Sequence, residues 1–147
     1  MNRSLLVVVI GLCVTSAGPA TAATRLPGFR SPSGNISCFF VPGTPATMVC
    51  QIAHADYAKR LEARCAAPPI ELDWAGFTLP AGTKGRVSCS GGILYDPSTQ
   101  RPSYVTLPYG KLWTHKMFDC RSLVTGVNCS NHHGHGLFLS RQTWRTW

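Results

Sequence analysis

Seven cysteines, six carboxylates and the segment His132-His133-Gly134-His135 hold most of the chemistry available to this 147-residue chain. Six of the cysteines fall into neighbouring pairs: Cys38 and Cys50 lie 12 positions apart, Cys65 and Cys89 24, and Cys120 and Cys129 nine. Each pair brackets turn-forming residues, and an even set of this kind in an oxidising compartment reads as a disulfide framework. Six cysteines allow 15 pairings. The sequential one, Cys38 with Cys50, Cys65 with Cys89 and Cys120 with Cys129, is the expectation, and a crossed pattern stays open. In the chain-entropy picture each such loop stabilises the fold by about 3 kcal/mol, comparable with the net stability of a whole domain. Pairing would also remove the thiolate that a cysteine nucleophile requires.

Imidazole is a common ligand for zinc, copper or nickel. Three histidines within four residues cannot by themselves close a tetrahedral site, so His54, His115 or Asp119 would have to join them by folding. The expectation for His132, His133 and His135 is therefore a polar turn, with no metal and no cofactor. Gly134 and Gly136 would bend the chain into Leu137-Phe138-Leu139, and His135 would be the most buried of the three. The carboxylates Asp56, Glu62, Glu71, Asp73, Asp96 and Asp119 form no close pair along the chain that would drive two pKa values apart. Nucleophile-elbow, zinc-protease, phosphate-loop and dinucleotide motifs are missing. The enzymatic alternative is a small hydrolase assembled only in space, with one of the three histidines, a turn serine such as Ser33, and Asp119. A third alternative is an inhibitor of a secreted hydrolase, whose loops a rigid framework would hold ready.

Ser31-Pro32-Ser33-Gly34-Asn35 joins residues that fix, relax or hydrogen-bond the backbone of a tight turn. Ser33 and Asn35, with His132, His133, His135 and Arg141, are the candidate binding residues; no catalytic residue is assigned. Asn35-Ile36-Ser37 and Asn128-Cys129-Ser130 fit the N-glycosylation pattern. The segment Arg141 to Trp147 mixes arginine with tryptophan, a combination suited to anionic interfaces, with Trp144 expected on the sheet and the arginines in water.

With 14 glycines and 11 prolines, the elements that position these residues must be short,. Asn35–Val41 and Thr47–Ile52 predict a hairpin around Pro42-Gly43-Thr44-Pro45. Gly85–Ser90, Ser103–Leu107, Lys116–Cys120, Gly126–Ser130 and Gly136–Ser140 predict further strands. Ala55–Arg64 predicts one helix, with Tyr57, Ala58, Leu61 and Cys65 on one face and Pro68-Pro69 beyond its end. Arg30 to Cys38 and Arg121 to Cys129 echo each other faintly. The fold class expected is mainly β: a small disulfide-stapled antiparallel sandwich or barrel with one or two short helices at most.

Arg3, the apolar run Leu5 to Val14 and the small residues ending at Ala22 have the order of a secretory signal peptide, to be cleaved after Ala22 or Ala23. Leu12 is too bulky for Cys13 to be a lipidation site. Residues 1–22 are thus read as the signal and 23–147 as a single exported domain, a monomer, secreted or held in the cell envelope. Basic residues exceed acidic ones by eight, and by one fewer without Arg3. Such a surplus draws anionic surfaces and polymers and also keeps a small protein soluble. The leading functional expectation is a binding or interaction module for an anionic envelope polymer, a lipid head group or another exported protein, with no nucleic acid partner.

The segments SPSGNISC (Ser31–Cys38), LPYG (Leu107–Gly110), FDCRS, GVNCSN and GHGLFLSR (Gly134–Arg141) together resemble a family of small exported actinobacterial proteins of unknown function. The likeness runs from about Phe29 to Arg141. It implies secretion or an envelope location and brings no activity, ligand or catalytic residue with it. The stretch Ser90 to Asp96 and Leu137 depart from the family pattern.

Overall fold

The structure is a computed structural model that describes residues 22–69, 71–90 and 94–147. The expected signal peptide lies outside the described residues except for Ala22.

Among the described residues, eleven strands and one helix follow in the order β1 (Thr24–Arg30), β2 (Ile36–Val41), β3 (Thr47–Ile52), α1 (Ala58–Cys65), β4 (Asp73–Pro80), β5 (Arg86–Ser90), β6 (Gln100–Thr106), β7 (Leu112–His115), β8 (Phe118–Leu123), β9 (Gly126–Asn131), β10 (Gly136–Leu139) and β11 (Trp144–Thr146). They form a six-stranded sheet, β5-β4-β3-β2-β1-β6, and a five-stranded sheet, β11-β10-β9-β8-β7. Their inner faces share one core. Phe29 meets Trp113 at 5.3 Å between ring centroids, Phe40 meets Phe118 at 6.1 Å and Phe77 meets Trp144 at 5.4 Å. The expected sandwich is what forms, antiparallel throughout except where β1 and β6 run parallel. That pair arises because the chain leaves β5 at one edge of the larger sheet and enters β6 at the other. On the way, Leu94 and Tyr95 pack over Leu26, Phe39 and Val49 on the sheet's outer face. Strand β2 is accordingly buried on both sides, whereas β9 alternates buried and half-buried residues,.

The three disulfides are the sequential ones: Cys38–Cys50, Cys65–Cys89 and Cys120–Cys129. Cys38 lies opposite Cys50 across β2 and β3, and Cys120 opposite Cys129 across β8 and β9. Both bridges point inward, and the sulfurs of Cys38, Cys50 and Cys129 lie within 4.8 Å of one another. The middle of the sandwich is therefore built of sulfur, bonded in pairs and closed to metal. Cys65 ends the helix rather than a strand and ties it to β5. Three bridges in a chain of this size fit an oxidising environment. No helix among the described residues is long and apolar enough to cross a membrane.

The helix begins at Ala58, three residues later than expected, and buries Leu61 and Cys65 at an i, i+4 spacing,. Four strands were not expected from sequence: β1, β4, β7 and β11. In β1, Pro27 stands just outside the ladder with β2, which starts at Gly28, so its missing N–H costs no bond there,. In β4, Gly76 marks a bulge where the register with β5 shifts,. Strands β7 and β11 have four and three residues and are held by their partners, not by a hydrophobic pattern of their own.

Candidate ligand-binding cleft

At one end of the sandwich, turns from both sheets enclose a cleft of about 640 Å³. The β1–β2 turn contributes Ser31, Ser33 and Asn35, and the segment after β3 contributes His54. Tyr109 comes from the β6–β7 connection, Val124 and Thr125 from the β8–β9 turn, and Arg141 and Gln142 from the β10–β11 connection. The two halves of the faint internal echo, Arg30 to Cys38 and Arg121 to Cys129, thus supply two facing walls.

The walls are fastened to one another. Ser31 Oγ accepts the Ile36 N–H at 3.1 Å and lies 3.2 Å from Ser33 Oγ, which accepts the Asn35 N–H at 3.3 Å. The Asn35 amide holds His54 at both ends, accepting its N–H at 2.9 Å and donating to its carbonyl at 3.1 Å. Two residues on, the Asp56 N–H donates to the Arg141 carbonyl at 2.9 Å, and Arg141 Nε donates to Asp56 Oδ1 at 3.3 Å. Beneath them the buried Tyr57 hydroxyl donates to the Ser140 carbonyl at 3.1 Å, and burial pushes that phenol up to about 12,. The segment from His54 to Tyr57 is therefore a clasp between the β1–β2 turn and the β10–β11 connection.

Once these bonds are made, a distinct set of groups is left to meet a ligand. Among the described residues the His54 imidazole, the Tyr109 and Thr125 hydroxyls and the Gln142 amide have no hydrogen-bond partner. Arg141 is 67 % exposed; its contact with Asp56 adds little to stability but orients the guanidinium and leaves its terminal nitrogens open,. Val124, 83 % exposed, and Tyr109 give the rim an apolar lip. The Ser33 hydroxyl is engaged by Ser31 and by the Asn35 N–H, with no base bonded to it among the described residues,. The arrangement can bind a molecule of mixed character, with a charge-assisted bond to any acid group that reaches Arg141.

His132, His133 and His135 are elsewhere. Strands β8 to β10 run from the cleft to the opposite end of the smaller sheet, where residues 132–135 turn between β9 and β10. His132 Nε2 lies 3.5 Å from Asp119 Oδ2, and Asp119 Oδ1 accepts the Thr114 hydroxyl at 2.7 Å. No further ligand atom joins His132 and Asp119 among the described residues, and no hydroxyl bonds to His132. Ser33 and Asp119, placed together in the hydrolase alternative, stand at opposite ends of the molecule. His132 and His133 are exposed and His135 is half-buried, the order expected. The turn depends on Asn131, whose side chain is buried. Its Oδ1 accepts the N–H groups of His133 and His135 at 3.0 and 3.1 Å, and its Nδ2 donates to the carbonyls of Pro80 and Thr83 at 2.9 and 3.1 Å. Gly134 has φ +79°, and a Cβ on Gly136 would fall 2.4 Å from the Trp147 ring.

The chain matches no protein-family model, no curated protein and no solved structure. Its site has to be read from its own geometry.

Of the six binding candidates from sequence, Ser33, Asn35 and Arg141 line the cleft, while His132, His133 and His135 do not. Asn35 and Ser33 line it as parts of its frame, with their polar atoms engaged in the walls. Sequence reasoning missed Tyr109, Thr125 and Gln142 and considered His54 only as a metal ligand. Three of these lie in irregular connections and the fourth in a two-residue turn, where no periodic pattern marks a side chain. The strand expected over Gly136–Ser140 as the last one ends at Leu139 and is followed by β11. Trp144 in that strand does pack inward on Phe77, and Arg145 is exposed.

Proposed function

We propose that this chain is an exported binding module that seats an anionic group of a cell-envelope component in the cleft. The observation that carries the reading is Arg141 at the rim: its guanidinium is oriented by Asp56, its terminal nitrogens are left unbonded, and it lines one cleft with hydroxyl and amide groups and the Tyr109 ring. A preformed site of this composition loses little entropy on binding. It offers polarity for hydroxyls, an aromatic surface for a sugar or acyl edge, and one cation for an acid. The order of the first 22 residues, the three disulfides and the basic surplus support an extracytoplasmic setting. The resemblance to small exported actinobacterial proteins agrees with that setting, and the segments that carry it, SPSGN, LPYG and the Ser140-Arg141 end of GHGLFLSR, contribute to this one cleft.

The test is titration of the oxidised protein with disaccharides bearing one carboxylate or phosphate, beside their neutral counterparts. Backbone amide shifts at Ser33, Thr125 and Gln142 are the readout. Acidic ligands should bind at least tenfold more tightly than neutral ones, and Arg141→Ala should remove that preference, because the bond it loses is charge-assisted. Affinity should also fall steadily with added salt. Equal binding of acidic and neutral ligands, or an Arg141→Ala variant with the preference intact, would refute the reading.

A further inference from the structure

The two sheets differ in what lies on their outer faces. Leu94 and Tyr95 cover the outer face of the larger sheet. Among the described residues no segment crosses the outer face of the smaller sheet. The strand register places Arg145, Phe138, Asn128, Arg121 and Leu112 in a single row across β11, β10, β9, β8 and β7 on this open face. Arg145 and Arg121 are exposed and stand three strand spacings apart, about 14 Å. Phe138 and Asn128 lie half-buried between them. In the adjacent row the Trp147 ring rests on Gly136, occupying the space a Cβ there would take, and the Arg145 guanidinium sits 5.2 Å from the ring centroid. The one side-chain carboxylate of these two rows, Asp119, is already engaged by Thr114 and His132, and neither Arg121 nor Arg145 has an ion-pair partner among the described residues.

An open sheet face with two unpaired arginines three strands apart and aromatic rings lying along it suits an extended ligand with acid groups at intervals and apolar edges between them. We propose that this face binds an acidic polysaccharide laid across the strands. Two acid groups of the chain meet Arg121 and Arg145, and sugar C–H faces rest on Phe138 and Trp147. Arg121 is held for this by a bond from Nη1 to the Gly110 carbonyl at 2.9 Å. The rings are half-buried and rest against the sheet, so they lack the protruding apolar edge that insertion into a bilayer uses. The surface is separate from the cleft, on a different part of the same sheet, and does not depend on the cleft having a ligand. It also accounts for the arginine and tryptophan of the C-terminal segment: Trp144 faces the core, while Arg145 and Trp147 face out.

Polygalacturonate is the probe, with neutral dextran and phosphatidylglycerol vesicles as comparators, titrated into the oxidised full chain with amide shifts as the readout. Polygalacturonate should shift Asn128, Ser130, Phe138 and Arg145. The double variant Arg121→Ala/Arg145→Ala, made at exposed positions, should weaken the binding read at these residues at least tenfold and leave any shifts at Thr125 and Gln142 in the cleft unchanged. Binding unchanged in the double variant, or absent at low ionic strength, overturns the proposal. Shifts confined to the cleft and lost in Arg141→Ala would assign the polymer to the cleft and also overturn it. Vesicle binding without polygalacturonate binding would make the face a membrane contact instead.

Discussion

At the cleft end of the molecule Asn35 is partly exposed and holds one residue, His54, by two bonds; at the histidine end Asn131 is 4 % exposed and holds four backbone groups from two segments. Both amides stitch turns together, yet they leave different surroundings. Asn131 closes its end: the carbonyls of Pro80 and Thr83 and the N–H groups of His133 and His135 are all answered, and the histidine side chains are left outside. Asn35 and Asp56 frame the other end as a cleft: Asn35 ties the β1–β2 turn to the segment after β3, and Asp56 ties that segment to the β10–β11 connection of the other sheet. A saturated polar residue in the interior stabilises a turn, whereas the same chemistry at a rim shapes a site.

Removing each amide sharpens the comparison most. Asn131→Ala strands two donors and two acceptors in a buried place and should cost about 3 kcal/mol, while Asn35→Ala, where water can reach the freed groups, should cost about 1 kcal/mol. Denaturant unfolding of the two variants measures both. Equal costs would mean that the two ends are held with the same force and that the contrast drawn from burial is wrong. Asn35→Ala should also weaken binding in the cleft, and Asn131→Ala should not.

Within the histidine turn the backbone should matter more than the imidazoles. Gly134→Val, at a φ of +79° that a β-branched residue rarely adopts, should cost about 1–3 kcal/mol,. His132→Ala with His133→Ala should change stability by less than about 0.5 kcal/mol, as for exposed surface positions. Thermal melts of the two variants separate these outcomes. A reversed order, or stoichiometric zinc or copper kept through dialysis and lost in a His132 plus His135 double variant, would make the turn a metal site after all.

A smaller effect than the loss of Asn131 is expected at Tyr57 under the cleft. Its phenol is raised from 10.0 to about 12 by burial, so folding favours the protonated form. That contribution is complete below about pH 10, where the unfolded chain is protonated too, and is lost as pH rises through about 12,. Tyr57→Phe should cost about 1 kcal/mol at neutral pH, from the bond to the Ser140 carbonyl, and should show a shallower loss of stability above pH 10 than the parent protein. Parallel alkaline profiles for the two would show that the phenol is not shielded by the fold.

Alternation of β-rich residues with turn residues was enough to anticipate seven of the strands, the helix and the hairpin of β2 and β3, because these depend on local propensity and on burial of one or both faces,. The disulfides were legible for a related reason: short separations across turns make sequential pairing the geometry that asks least of the chain. Strands β7 and β11 were not legible, since strands of four and three residues exist only by pairing with neighbours. The parallel pair of β1 and β6 was hidden too, because it is made by a crossing of the whole sheet that no local pattern encodes. Ser33, Asn35 and Arg141 could be singled out by residue type, but 108 positions separate the first from the last. Only the packing of one sheet on the other brings them to a single cleft and sends His132, His133 and His135 to the far end. Residue type and spacing thus determined the framework of the protein, and the relative placement of its turns, decided by how two sheets bury their inner faces against each other, determined where a ligand can sit.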